Sequence, residues 1–202
     1  MVEIARSRAG RARHRPHLVV LAGPNGAGKS TAAPALLRGQ LGVTEFVNAD
    51  TIARGLSAFS PERAAIEAGR IMLVRLRQLA AQQRDFAFET TLASRTFAPQ
   101  ISRWMQGGYA FHLIFLWLPS AEFALARIRE RVRLGGHDVP EETVRRRYRR
   151  GLANFFGLYQ PLATTWRFYD NSATRPRLIA RGERTGRINV SNAELWSRIH
   201  EV

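Results

Sequence analysis

Nine consecutive residues form a motif that binds phosphate in many proteins. They match the pattern G-x-x-x-x-G-K-[ST] with one further hydroxyl residue, and they are Gly23, Pro24, Asn25, Gly26, Ala27, Gly28, Lys29, Ser30 and Thr31. In such a loop backbone N–H groups converge on phosphate oxygens, and the following helix presents its positive end to them. Lys29 supplies a compact charge and Ser30 a hydroxyl ligand for Mg²⁺. The motif predicts binding of ATP or GTP together with Mg²⁺.

The lysine of this motif stands out against the composition of the chain. Of the 31 lysine and arginine residues, only Lys29 is a lysine. The planar guanidinium of arginine does not replace a compact ammonium at the β- and γ-phosphates. The single lysine therefore supports a functional phosphate loop.

Acidic residues follow the predicted strands at the edge where such sheets bind their ligands. Asp50, Glu89 and Asp170 come at or just after strand ends, and ligands of parallel sheets lie beyond those ends. Asp50 is expected to accept a proton from an attacking hydroxyl, with capping of the next helix as the alternative. Glu89 is expected to hold a magnesium-bound water or to bind substrate hydroxyls, and its alternative is an acid at the sheet edge.

Two arginine-rich helices surround a glycine turn at Gly135-Gly136. Arg127 and Arg131 lie one helical turn apart before it, and Arg145–Arg147 follow it. This arrangement predicts a lid that delivers arginine to the phosphates, an interaction worth roughly 10³–10⁵ in rate in known phosphoryl transfer. For each single arginine, a solvated surface position is the alternative. His137 is expected to cap or to gate the turn.

Short apolar runs alternate with helical patterns after residue 17, which is typical of a parallel α/β protein. We expect a P-loop NTPase fold with three α/β/α layers, a mostly parallel five-stranded sheet and a helical lid. The five strands are expected near 18–21, 45–48, 86–88, 110–118 and 166–169, with less certain strands at 177–180 and 187–190 and a helix from 192. Helices are expected near 29–39, 60–83, 97–105, 120–134 and 141–150. Pro34 should kink the first helix, and Ile66 should lie on the apolar face of the long helix.

Composition limits the class of protein. The chain has 202 residues, a net charge of +15 and no cysteine, so disulfides and thiolate metal sites are excluded. No apolar run reaches membrane-spanning length, and a cytoplasmic location is expected. Residues 1–16 are expected to be a basic, disordered arm, and 17–202 a single kinase domain. The positive charge suggests nucleic acid, but no recognisable binding motif supports it, so we expect none as a partner.

Several short motifs along the chain together resemble those of the zeta-toxin family of P-loop kinases. They are the phosphate loop, Asn48-Ala49-Asp50, Phe86-Ala87-Phe88-Glu89-Thr90-Thr91, Arg131-Val132 and Gly135-Gly136-His137. The resemblance covers about residues 17–183. It implies transfer of the ATP γ-phosphate to a sugar hydroxyl of UDP-N-acetylglucosamine, and restraint by an antitoxin protein.

The resemblance also implies roles for individual residues. Asp50 takes the position of the catalytic base, and Lys29 and Arg131 neutralise phosphate charge. The nucleotide-binding residues implied beyond the loop are Arg127, Arg131 and Arg146, and the substrate-binding residues are Asn48, Asp50, Arg70, Glu89, Thr91 and Arg95. The best-known toxins carry a long C-terminal region beyond the kinase domain. Their substrate-binding helix also carries an acidic residue at a position where we expect none in this chain. A kinase for another small acceptor (nucleoside, nucleotide, dinucleotide or antibiotic) and a nucleic-acid-associated ATPase therefore stay open.

Overall fold

The computed structural model describes residues 15–60, 63–136 and 138–200. Seven strands form one sheet within these ranges. They are β1 (His17–Ala22), β2 (Glu45–Val47), β3 (Phe86–Thr90), β4 (Ala110–Trp117), β5 (Thr165–Asp170), β6 (Arg177–Glu183) and β7 (Ile188–Val190). The helices are α1 (Lys29–Ala33), α2 (Ala49–Leu56), α3 (Ala65–Ala81), α4 (Phe97–Gln106), α5 (Ala121–Arg133), α6 (Glu141–Asn154) and α7 (Ala193–His200).

The strand order is β2-β3-β1-β4-β5-β6-β7. The first five strands in this order are parallel, and β6 and β7 continue the sheet antiparallel. The expected P-loop α/β fold is therefore confirmed, with seven strands instead of five. The tail supplies the two additional strands because it turns back along β5.

Helices cover both faces of the sheet. Side chains of α3, α4 and α7 pack with one face, and side chains of α1 and α5 pack with the other. Helix α6 contributes to both, through Leu152 and Val144 respectively. The central strands β1 and β4 are buried along almost their whole length, as expected for a parallel sheet that is covered twice. This three-layer arrangement brings the ends of β1, β3 and β4 to one edge, where the loops of the site begin.

Two details of the helices differ from the sequence expectation. Ile66 is 74% exposed, because the buried stripe of α3 runs through Ala68, Met72 and Leu76, and a position two residues earlier points about 200° away. After Ala33 the first helix continues as a π-helix, Pro34–Gln40. The wider turn accommodates a residue that has no N–H group.

Some expectations lie outside the described residues. These are most of the basic arm, the proposed helix start at Pro61-Glu62, and His137. The described helix α3 begins at Ala65. Within the described part of the chain, no helix combines the length and apolarity needed to cross a membrane.

A pair of histidines lies near the amino-terminal ends of β1 and β4, at the opposite end of these strands from the phosphate loop. The rings of His17 and His112 stack with centroids 5.0 Å apart, and His17 Nδ1 lies 2.8 Å from His112 Nε2. Burial, followed by the nearby His17, Arg15 and Arg167, lowers the pKa of His112 to about 4. The neutral imidazole is thus the form that the fold accommodates.

We predict that the His112→Gln variant loses part of the acid sensitivity of the fold. Between pH 6.5 and about 4 the unfolded chain protonates His112 while the folded chain does not. Stability from this residue is therefore complete above pH 6.5 and falls as the pH drops towards 4. Urea unfolding at several pH values should give a flatter slope for the variant in this window. An unchanged slope would contradict the assignment.

Candidate phosphate-binding and transfer site

The phosphate loop begins where β1 ends. Gly23 has φ of +140°, and a Cβ atom there would lie 2.2 Å from the Leu116 carbonyl oxygen. Gly26 and Gly28 have φ values of +77° and +73°. Only glycine adopts these conformations at little cost. The three glycines therefore let the backbone turn closely past β4 and into α1.

Lys29 is buried, and its ammonium is held inside the loop. Its Nζ atom donates to the carbonyl oxygens of Gly23 and Pro24, both at 2.9 Å, and lies 3.6 Å from Glu89 Oε1. Burial lowers the pKa of Lys29, as does the charge of Arg131, while Glu89 and Asp50 act in the opposite direction. The ammonium thus sits where a polyphosphate would meet the loop.

Glu89 is the centre of the polar cluster. Its Oε2 atom accepts hydrogen bonds from the Ser30 hydroxyl and from Asn48 Nδ2, both at 2.8 Å. The structure places β3 between β2 and β1, so Glu89 does not lie on an edge strand of the sheet. A carboxylate and a hydroxyl side by side are the oxygen ligands that Mg²⁺ prefers.

Asn48 explains how Asp50 is presented. The Asn48 side chain accepts hydrogen bonds from the backbone N–H groups of Asp50 and Thr51, at 2.7 and 3.2 Å, and so caps α2. The alternative that Asp50 caps this helix is therefore wrong. Asp50 stands exposed on the first turn. Burial lowers the pKa values of Lys29 and Arg147, and the charge of Asp50 opposes both shifts. Its carboxylate is free of the capping role and faces the phosphate side of the site.

The arginines expected at the site occupy different positions. The guanidinium of Arg127 donates to the carbonyl oxygens of Asn171 and Ser172, at 2.7 and 3.0 Å, and lies over the Phe123 ring. Arg131 is close enough to Lys29 to lower the pKa of that residue. Arg146 is exposed, next to Thr143.

Arg147 instead of Arg146 reaches the phosphate loop. Its guanidinium donates to Asn25 Oδ1 at 3.4 Å, and burial lowers its pKa while Asp50 opposes that shift. Arg145 pairs with Glu122 and Glu141 and so ties α6 to α5. Three consecutive arginines on a helix point in different directions, and the sequence could not select among them.

The expected acceptor residues lie on two segments. Thr91 and Arg95 belong to residues 91–96, which we call the acceptor loop, between β3 and α4. Arg95 Nε donates to Asn154 Oδ1 at 3.3 Å. Arg70 is exposed on α3.

Asn171 is a loop contact that the sequence reasoning did not select. It is 8% exposed, and its Nδ2 atom donates to the Ala27 carbonyl oxygen at 2.7 Å. Since Arg127 in turn binds the Asn171 carbonyl, β5 and α5 brace the phosphate loop from behind. The one sequence signal was its position directly after a predicted strand.

The fold and the site together define a P-loop kinase-like domain. Residues 18–156 match the family model described as an AAA domain, AAA_33. The chain belongs to this family.

One related sequence and two solved structures are similar to this chain, and the solved structures share its fold. A protein of Haemophilus influenzae described only as uncharacterised is 33% identical over 128 residues, which are 62% of this chain and 88% of that protein. The structure of AvrRxo1-ORF1:-ORF2 with ATP has a TM-score of 0.74 and 19% identity, and it covers 92% of this chain and 63% of that chain. The chain thus spans less than two thirds of that structure. The PezAT toxin–antitoxin system of Streptococcus pneumoniae gives a TM-score of 0.64 and 12% identity, covering 96% and 87%.

We predict that Arg147→Gln weakens binding of Mg²⁺ with a non-hydrolysable ATP analogue by about tenfold, because a charge-assisted contact near the phosphates is lost. Isothermal titration calorimetry measures the change. Arg150→Gln, an exposed neighbour on the same helix, is the matched control and should bind like the wild type. Equal affinities of the two variants would remove Arg147 from the site.

Proposed function

We propose that the protein is an ATP-dependent small-molecule kinase of zeta-toxin type, which transfers the γ-phosphate to a sugar hydroxyl of UDP-N-acetylglucosamine. The observation that carries the proposal is the Glu89 cluster, which joins Lys29 and Ser30 of the phosphate loop to Asn48, two residues before the candidate base. This cluster supports the proposal that the proton-accepting group acts next to the phosphate-binding residues.

The residues fit a magnesium-bound nucleotide. The glycines let the loop turn tightly against β4 and α5, because Cβ atoms at Gly23 and Gly26 would collide with the carbonyl oxygens of Leu116 and Ala124. The Lys29 ammonium already lies among carbonyl oxygens of the loop. Ser30 and Glu89 would hold Mg²⁺, which neutralises phosphate charge when bound. No group of three or more His, Cys, Asp or Glu residues suited to a metal exists within the described ranges. One hydroxyl and one carboxylate are typical of Mg²⁺, which keeps water and phosphate as its other ligands.

The transfer step would use Asp50 as the general base. Its carboxylate takes the proton of the acceptor hydroxyl as the new oxygen–phosphorus bond forms and the bond to the diphosphate breaks. Lys29, Arg131 and Arg147 supply positive charge, and their proposed role is to balance charge on the phosphoryl group. Asn48 keeps Asp50 in place by capping α2.

The acceptor would lie against α2, α3 and the acceptor loop. Arg70 and Arg95 offer positive charge that suits the diphosphate of a nucleotide sugar. Thr91 and Glu89 are the proposed partners of sugar hydroxyls. Such substrates place the reaction in the cytoplasm, which is part of the proposal.

A protein partner belongs to the same proposal. The similar AvrRxo1 structure contains two components, and PezAT is a toxin–antitoxin system. Both support an antitoxin that restrains this kinase.

The acceptor is tested by incubating the protein with Mg·ATP and UDP-N-acetylglucosamine and analysing the products by mass spectrometry. We expect a sugar nucleotide heavier by one phosphoryl group, and no product with Lys29→Ala. A parallel panel holds nucleosides, nucleotides, an aminoglycoside and 5′-hydroxyl oligonucleotides. Turnover of one of these in place of the nucleotide sugar would keep the kinase and replace the acceptor.

We predict that Asp50→Asn separates binding from transfer. The amide cannot accept the proton, so kcat should fall by roughly 10²–10⁴, while the Kd for the ATP analogue stays within about twofold because Asp50 does not hold the loop. Glu194→Gln, an exposed acid on α7, is the charge-matched control. Full turnover by Asp50→Asn would exclude Asp50 as the base.

A further inference from the structure

One face of helix α6 contacts both the phosphate loop and the acceptor loop. Arg147, Gly151 and Asn154 are spaced i, i+4 and i+7, which places them on the same face of the helix. Arg147 contacts Asn25 of the phosphate loop. Gly151 and Asn154 contact the acceptor loop. A single rigid element therefore connects the two loops.

Gly151 allows the acceptor loop to lie directly on the helix. A Cβ atom at this position would lie 2.3 Å from the Thr91 carbonyl oxygen, closer than side chains tolerate. The absence of a side chain is thus what lets Thr91 pack against α6. The contact fixes the start of the loop.

Asn154 holds the middle of the same loop with both ends of its amide. It is 6% exposed, and its Nδ2 atom donates to the Leu92 carbonyl oxygen at 2.7 Å. Its Oδ1 atom accepts from Arg95 Nε at 3.3 Å. This pairing is chemically matched, because a primary amide offers one donor group and one acceptor.

The loop conformation needs this support. Leu92 is fully buried with φ of +56°, a left-handed conformation that is unfavourable for leucine and persists only where the surroundings enforce it. The Leu92 N–H group donates to Thr90 Oγ1 at 3.1 Å. Tyr159 adds a further restraint, because its hydroxyl donates to the Ser94 carbonyl oxygen at 2.7 Å.

We infer that Asn154 is a positioning residue that sets the orientation of Arg95 towards an anionic acceptor. The inference rests on the proposed function. The Nε–H group of Arg95 donates to Asn154. This hydrogen bond fixes the plane of the guanidinium and so orients its two terminal NH₂ groups. A planar fork held at Nε suits bidentate recognition of a phosphate or diphosphate. Asn154 thus acts on acceptor specificity through Arg95, without a role at the ATP phosphates.

Kinetics of Asn154→Ala test the inference. With UDP-N-acetylglucosamine as acceptor we expect KM to rise about tenfold, as for a lost contact to a charged group, with kcat and the Kd for the ATP analogue within about twofold. Arg95→Ala should raise KM similarly, and the double variant should be no worse than Arg95→Ala alone. Additive effects would show that Asn154 does not act through Arg95 and would overturn the inference.

Two glycine variants supply a second, matched comparison. Gly151→Ala should raise KM for the acceptor because the methyl group pushes Thr91 away. Gly157→Ala lies on the following π-helical segment, Phe155–Tyr159, where a Cβ meets nothing within 4 Å, and it should behave like the wild type. Equal KM values for the two variants would contradict the proposed contact.

Hydrogen exchange keeps the inference testable if UDP-N-acetylglucosamine is not the acceptor. Asn154→Ala should exchange the amides of residues 92–96 at least about tenfold faster than the wild type, while residues 23–31 keep their protection. Wild-type protection of residues 92–96 in the variant would overturn the inference. Absence of wild-type transfer to the nucleotide sugar, with faster exchange in the variant, would instead refute only the proposed acceptor.

Discussion

The site depends on one electrostatic interaction, the contact of the buried Lys29 ammonium with the mostly buried Glu89 carboxylate. A charge away from water is costly unless opposite charge and hydrogen bonds compensate it. Lys29 has both, since Gly23 and Pro24 accept its hydrogen bonds and Glu89 lies 3.6 Å away. Glu89 is satisfied in turn by Ser30 and Asn48. The positive charge of Lys29 and the negative charge of Glu89 thus nearly cancel. A bound phosphate could replace the carbonyl oxygens and the carboxylate as the partner of the ammonium.

The parallel sheet makes this cluster geometrically possible. Leu21 of β1 lies opposite Glu89 of β3 in the register of the two strands. The phosphate loop, which follows β1, therefore begins beside Glu89 near the end of β3. Because β2 is parallel to β3 and ends at the same edge, Asn48 and Asp50 come to the same place. Three segments far apart in the chain meet without any long loop.

Much of the fold follows from local sequence patterns. The apolar runs of the central strands, the caps and the glycine stops are local signals, and they identified the strands and most of the helices. The prediction that Ile66 lies on the buried face of α3 was wrong. Apolar residues occur on more than one face of this helix, and only the packing shows which face is buried. Proline is unfavourable inside an α-helix, and the chain continues from Pro34 as a π-helix instead.

The phosphate loop is predictable from the sequence alone, because its nine residues are contiguous and their conformation follows from glycine, lysine and hydroxyl chemistry. The sequence also predicted that Asp50 and Glu89 lie at strand ends: Asp50 follows β2, and Glu89 is the penultimate residue of β3. Only the packed structure shows that Arg147 reaches the loop, that Arg127 braces the segment after β5, and that Asn171 and Asn154 bind backbone carbonyl oxygens. The contacts of Arg147 with Asn25 and of Asn171 with Ala27 join residues 122 and 144 positions apart. Helix rotation and layer packing create such contacts, and no local pattern encodes them.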